Sequence, residues 1–180
     1  MLPAYRTHFE TLTAATEALL AAVAALPHPS ARSADGGWSG TQVVRHLLGA
    51  ETSITELLEK QAAKPAAELP TAGLKSWFRA RLMSWMLARP NGRFKVPARL
   101  GEPLGEPVDL EHLRHQWTTV RHRLGKLLAD FPASHGSRAV FEHPRAGWLT
   151  MAQTMRFMTD HVRHHQQQIA RLREKDSVRS

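Results

Sequence analysis

The chain has 180 residues, carries 24 Lys and Arg against 16 Asp and Glu for a formal charge of +8, and contains no cysteine. Without thiols, a disulfide scaffold, a Cys-ligated zinc or iron–sulfur site and a Cys nucleophile are all excluded. A hydrophobic share of 42% argues against intrinsic disorder and for one domain with its own core, and no apolar run reaches the roughly 20 residues that span a bilayer.

The first predicted helix runs from about Tyr5 to Leu26. Its Leu12, Leu19, Val23 and Leu26 recur at three- and four-residue steps, with one gap, as a core-facing stripe requires. The apolar stretch from Ala18 resembles part of a secretory signal, but Glu10 and Glu17 precede it and only Arg6 supplies positive charge. It reads as a folded helix, and with the absence of cysteine a cytoplasmic protein is expected. Pro27 and Pro29 end the helix. A polar loop through Gly36 and Gly37 leads to a second helix, Ser39 to about Ala63, whose opening Ser39-Gly40-Thr41-Gln42 fits a capping box. A linker containing Pro65 and Pro70 precedes a short third helix, about Leu74 to Ala88. Its Trp77, Phe78 and Trp85 read as core residues, or alternatively as a seam between two copies. Arg89 to Val108, with Pro90, Pro97, Pro103 and Pro107, reads as a long irregular loop of the functional or mobile kind. The fourth helix spans about Asp109 to Asp130, and a loop from Phe131 to Trp148 carries FEHPRAGW. Thr150-Met151-Ala152-Gln153 is a second capping box, opening a fifth helix to about Glu174 with a tail over 175–180. Long helices without βα alternation predict an all-α fold: an up-and-down-type four-helix bundle with an extra short helix and long connecting loops, one domain over 1–174.

The positive charge is dispersed. Basic residues alternate with acidic ones, no run of five occurs, and the densest stretch, Arg163 to Arg179, reads as a solvated helix end that complements the helix dipole. Nucleic acid is therefore not an expected partner, and neither is a membrane.

The informative residues are histidines. At roughly 100° per residue, the apolar stripe of the fifth helix is Met151, Met155, Met158, Val162, Ile169 and Leu172. His165 falls inside that stripe, His161 lies on its edge, and His164 points toward solvent. Residues four apart stand one turn above each other, so His161 and His165 can present two imidazoles to one ion. On the second helix His46 flanks the stripe of Val43, Leu47, Ala50, Ile54 and Leu57 in the same manner. That spacing leaves open a metal site or satisfied histidines at a core edge. Glu51 lies close to the apolar face, where a carboxylate needs a partner. It is a candidate ligand, an acceptor that orients a ligating imidazole, or the partner of an Arg. His112, His115 and His122 form no single stripe. His8, His28, His135 and His143 fall at helix surfaces or in loops, although the loop of His143 leads into the fifth helix and so toward the site.

W-S-x-x-Q-x-x-x-H-L-L over Trp38 to Leu48 resembles the first-ligand helix of the DinB/YfiT-like metal-binding superfamily. F-x-H-P-x-x-G-x-L-T over Phe141 to Thr150, followed by H-x-x-H-H-x-x-Q-I over His161 to Ile169, resembles its C-terminal signature. The resemblance spans nearly the whole chain. It implies a four-helix bundle, often a homodimer, holding one divalent ion (zinc first, with nickel or iron as alternatives) on His46, His161 and His165. Gln168 stands where a Gln follows the second ligand of the last helix; it and Glu51 are the candidates for support around the ligands. Thiol-dependent isomerases in the superfamily carry a Glu in place of one helix His; here His161 occupies that position, so the all-His form fits.

Three neutral imidazoles leave at least one position open on an ion. Because the chain lacks Cys, sulfur chemistry there requires an external thiol. The reading that follows is an enzyme transferring a low-molecular-weight thiol, as co-substrate, to a small electrophile. A hydrolase using metal-activated hydroxide is the first alternative, and a non-enzymatic basic helical binding module the second. Arg45, Arg156 and Arg163 are candidates for steering an anionic substrate.

Overall fold

The computed structural model describes residues 3–32, 37–89 and 108–177. The elements are α1 (Pro3–Ala24), α2 (Gly40–Ala62), α3 (Leu74–Leu87), α4 (Leu110–Asp130), β1 (Ala139–His143), β2 (Gly147–Thr150) and α5 (Met151–Ser177). Both predicted capping boxes form. The Gln42 amide nitrogen donates to Ser39 Oγ at 3.2 Å while Ser39 N donates to Gln42 Oε1 at 3.0 Å. Gln153 N likewise donates to Thr150 Oγ1 at 3.3 Å, and Thr150 N to Gln153 Oε1 at 2.9 Å. Each box satisfies backbone donors that the first helical turn leaves without partners.

The long helices form an all-α bundle in which α1 packs along α5 and α4, and α2 along α4 and α5. The stripes meet in its interior. Leu12, Leu19 and Val23 of α1, Val43, Leu47 and Leu58 of α2, Leu113, Trp117 and Leu124 of α4, and Met151, Met155 and Ile169 of α5 are all buried. The start of α2 lies against the end of α1. A Cβ on Gly40 would lie 2.9 Å from Leu26 Cδ1, 3.0 Å from Val23 Cγ1 and 3.1 Å from the Pro29 carbonyl oxygen. Gly40 thus lets the start of α2 press against the end of α1.

Three features depart from the sequence reading. The segment expected to be a loop before α5 contains an antiparallel hairpin, with Phe141 opposite Leu149 and His143 opposite Gly147. Strands of five and four residues are too short to show an alternating pattern, and Gly147, at φ 72°, supplies the left-handed backbone conformation at the turn. Second, α3 lies outside the bundle, against α5 and β2. Among the described residues only one side of it is covered, and Trp77, Phe78 and Trp85 are exposed rather than in the core, as are Leu74 and Leu82. Third, α5 continues past Glu174 to Ser177. The irregular stretch expected over Arg89 to Val108 lies almost wholly outside the described residues, as does the end of the tail. Among the described residues no helix is long and apolar enough to cross a membrane.

Candidate metal centre

His46 comes from α2, two turns below its cap, and His161 and His165 from α5. Their rings converge where the two helices pack. His46 Nε2 and His161 Nε2 are 3.3 Å apart. One ring nitrogen from each of the three histidines can be chosen so that all lie within 4.8 Å of one another, the only such group of three or more potential ligands among the described residues. His165 is buried and the other two partly so.

The surroundings hold these imidazoles neutral. Burial lowers the pKa of His46. Burial, followed by the neighbouring His165 and His46, takes His161 well below the usual histidine value. Burial and then His46 push His165 down to about 3, against a smaller upward pull from its hydrogen bond to Gln168. The neutral ring is the form that binds metal, and the electrostatic neighbours of His161 and His165 are other imidazoles and Arg171 rather than carboxylates. The tautomer also fits. His165 Nδ1 lies 2.8 Å from Gln168 Oε1, and an amide oxygen only accepts, so Nδ1 carries the proton and Nε2 keeps its lone pair. This donor set of neutral imidazoles suits zinc, nickel or iron.

Two aromatic residues that the sequence reading left without a role wall the cluster. Trp38, just before the α2 cap, packs on His46 with centroids 4.9 Å apart and stacks on His165 at 6.3 Å and 7°. Phe157 stacks on His161 at 5.6 Å and 15°. The signal for Phe157 was its position one turn before His161, the same four-residue step that pairs the two ligands. His143 packs edge-on against Phe157, with ring centroids 4.6 Å apart. Its Nδ1 accepts from the backbone amides of Arg145 and Ala146, both at 3.1 Å, which places the ring proton on Nε2. Burial and then Arg145 lower its pKa to about 4.

Other expectations need correction. Glu51 touches none of the three rings. Its carboxylate is buried and fully engaged elsewhere: Trp117 Nε1 donates to Oε2, Arg121 Nε to Oε1 and Arg121 Nη2 to Oε2, each at 2.8 Å. Of the readings its position left open, the pairing with an Arg is the one observed. His164 does not point to solvent. It is buried under α3, and its Nδ1 donates to the Leu87 carbonyl at 3.0 Å. A helical wheel cannot anticipate a neighbour that covers a second face. His135 lies in the loop after α4, one of the two places expected for it, but is buried there, with Nε2 2.9 Å from the Lys64 carbonyl. Of the three arginines expected near an entrance, Arg156 lines a groove beside Phe157, Arg163 is exposed, and Arg45 is partly buried.

A helical bundle that converges three neutral histidines from two helices defines a protein with the geometry to hold one metal ion. The sequence profile of the DinB superfamily matches residues 9–169, and the chain belongs to that superfamily. No curated protein and no solved structure matches it significantly.

Proposed function

We propose that the protein binds one divalent metal ion, zinc in the first instance, through His46, His161 and His165, and that it is an enzyme transferring a low-molecular-weight thiol to a small electrophile. The observation that carries this reading is the convergence of three neutral imidazoles with ring nitrogens within 4.8 Å. When bound, an ion on such a set keeps a position open and stabilises a thiolate or hydroxide there. Two features favour the thiol. The chain has no cysteine to occupy the open position itself. The cluster also contains no carboxylate, and Glu51, the acidic residue on the inner side of α2, is held by Arg121 and Trp117. A hydrolytic reaction gains from a carboxylate base that positions water, whereas a thiolate is already the nucleophilic form. Trp38 and Phe157 exclude water from two sides of the cluster, which keeps the nucleophile poorly solvated.

The test has two stages. Elemental mass spectrometry on untagged protein is expected to find about one equivalent of zinc, nickel or iron, lost in the His161→Ala/His165→Ala variant. Cobalt-substituted protein is then titrated with glutathione and with other low-molecular-weight thiols. A new sulfur-to-cobalt charge-transfer absorption supports the thiol reading. Stoichiometric metal with no such absorption for any thiol refutes it, and no metal after reconstitution refutes the site.

A further inference from the structure

Beside the histidine cluster, a shallow groove open to solvent runs between α3 and the start of α5. Its apolar surfaces come from Met83, Leu149 and Phe157, and its exposed edges from Trp77, Arg81 and Arg156. Leu149 is fully buried beneath it, while Trp77 is 48% exposed. The Arg81 guanidinium lies over the Trp77 ring, 5.6 Å from its centroid. Among the described residues no carboxylate lines the groove, and neither Arg81 nor Arg156 has an acidic partner. The groove therefore offers two uncompensated cations above an aromatic and aliphatic surface. Phe157 is shared: it lines the groove and stacks on His161 at 5.6 Å. A molecule in the groove would sit one ring away from the metal centre.

We propose that this groove is a binding subsite for a planar organic anion, with Trp77 and Phe157 covering its apolar body and Arg81 and Arg156 holding its carboxylate. Guanidinium pairs recognise carboxylates by charge-assisted hydrogen bonds, and an aromatic ring adds area at little entropic cost. Its use as the substrate subsite of the proposed transfer rests on the metal-centre reading; its capacity to bind does not.

Isothermal titration calorimetry with 2-naphthoate, and with the neutral 2-naphthylmethanol as control, tests the proposal. The anion is expected to bind about ten-fold tighter than the neutral compound, a difference in keeping with a charged hydrogen bond. Arg156→Gln and Arg81→Gln are each expected to weaken naphthoate about five- to ten-fold, and Trp77→Ala to weaken both compounds. Arg156 and Arg81 are exposed, so circular dichroism and metal content should be unchanged in those variants. Binding should survive removal of metal with a chelator. Equal affinity for the two compounds overturns the proposal, as does wild-type affinity in both Arg variants. Loss of binding on chelation, with no effect of either Arg variant, places the carboxylate on the metal and also overturns it. Naphthoate binding by a protein that takes up no metal even on reconstitution keeps the groove and refutes the metal centre; a metal-loaded protein that ignores naphthoate does the reverse.

Discussion

Replacing Glu51 by Ala tests whether its carboxylate holds the bundle together or serves the metal centre. Glu51 is 3% exposed on α2. Arg121 on α4 grips both its oxygens at 2.8 Å and reaches on to Thr13 Oγ1 at 2.9 Å and Thr16 Oγ1 at 2.8 Å on α1. Trp117, 2% exposed, donates to the same carboxylate. One acidic residue therefore joins three helices. Removing it leaves a guanidinium that is 11% exposed without its counter-charge, and an indole N–H without an acceptor. Breaking a buried pair from one side costs about 3–5 kcal/mol, which for a chain of this size corresponds to a fall of roughly 6–20 °C in Tm. The two threonine hydroxyls stay with Arg121, so the lower end of that range is the better expectation.

Thermal and urea unfolding of Glu51→Ala, Arg121→Met and the double variant measure the effect. The double variant is expected to be less destabilised than the sum of the two single ones, because it removes both charges together. Metal content, measured on the same samples below their melting temperatures, is expected to stay at the wild-type level in all three. Wild-type stability of Glu51→Ala would refute the account of the network. Loss of metal at unchanged stability would instead make Glu51 a support of the histidine centre, which its contacts argue against.

Further outcomes follow from the same geometry. Gly40→Ala should destabilise by about 1–3 kcal/mol in urea unfolding, although Ala is normally the better helix former, because its Cβ would press on Leu26, Val23 and the Pro29 carbonyl; that carbonyl cannot retreat without losing its 3.0 Å bond from Thr41 N, and a stabilised variant would show the contact to be soft. Gln168→Ala should weaken metal binding about ten- to a hundred-fold in competition with a chromophoric chelator, because His165 then loses the acceptor that fixes its tautomer; unchanged affinity would remove Gln168 from the site. In metal-free protein, His161 and His165 have folded pKa values below the ordinary 6.5, the latter at about 3. The unfolded chain therefore takes up protons first: stability is complete above pH 6.5 and falls as pH drops from there toward 3, by up to about 1.4 kcal/mol per pH unit for each histidine. Melting temperatures of chelator-treated protein between pH 7.5 and 4.5 measure this, and a flat profile contradicts it; the His161→Ala/His165→Ala variant should be flatter than wild type.

How much was visible in the sequence depends on which period each residue obeys. The apolar stripes of α1, α2 and α5 were legible because each helix buries mainly one face, and a 3.6-residue period reports one face well. The same wheel brought His46, His161 and His165 together, since ligands at stripe edges of two packed helices meet at their seam. It failed wherever a second neighbour intervened. His164 is covered by α3, an element outside the bundle. Trp77, Phe78 and Trp85 carry core-like composition on a helix that covers only one side of itself. The hairpin was hidden because Ala139 to Thr150 is held by its partner strand and by the linker, where Ala139 N donates to the Pro70 carbonyl at 2.8 Å. Glu51 was rightly read as needing a partner, but the choice among partners lay in Arg121, seventy positions away and beyond any local pattern.

The caps bear on where the three histidines meet. His46 follows Ser39 by seven residues and His161 follows Thr150 by eleven, close to two and three whole turns at 3.6 residues per turn. His46 and His161 thus each lie nearly in line with the cap of their own helix, and His165 stands one further turn along α5. Trp38 couples the first of these starts to the centre directly, since it precedes the Ser39 cap and packs on His46 and His165. Moving either helix start by one residue would swing its imidazole by roughly 100° and open the cluster. On this account the capping boxes set where the three histidines meet, as well as stabilising their helices. Thr150→Ala, with a cost of about 1 kcal/mol for the lost cap, should lower metal affinity as well as Tm. A variant with reduced Tm and wild-type affinity would show that packing of α5 against α1 and α2 sets the phase without help from the cap.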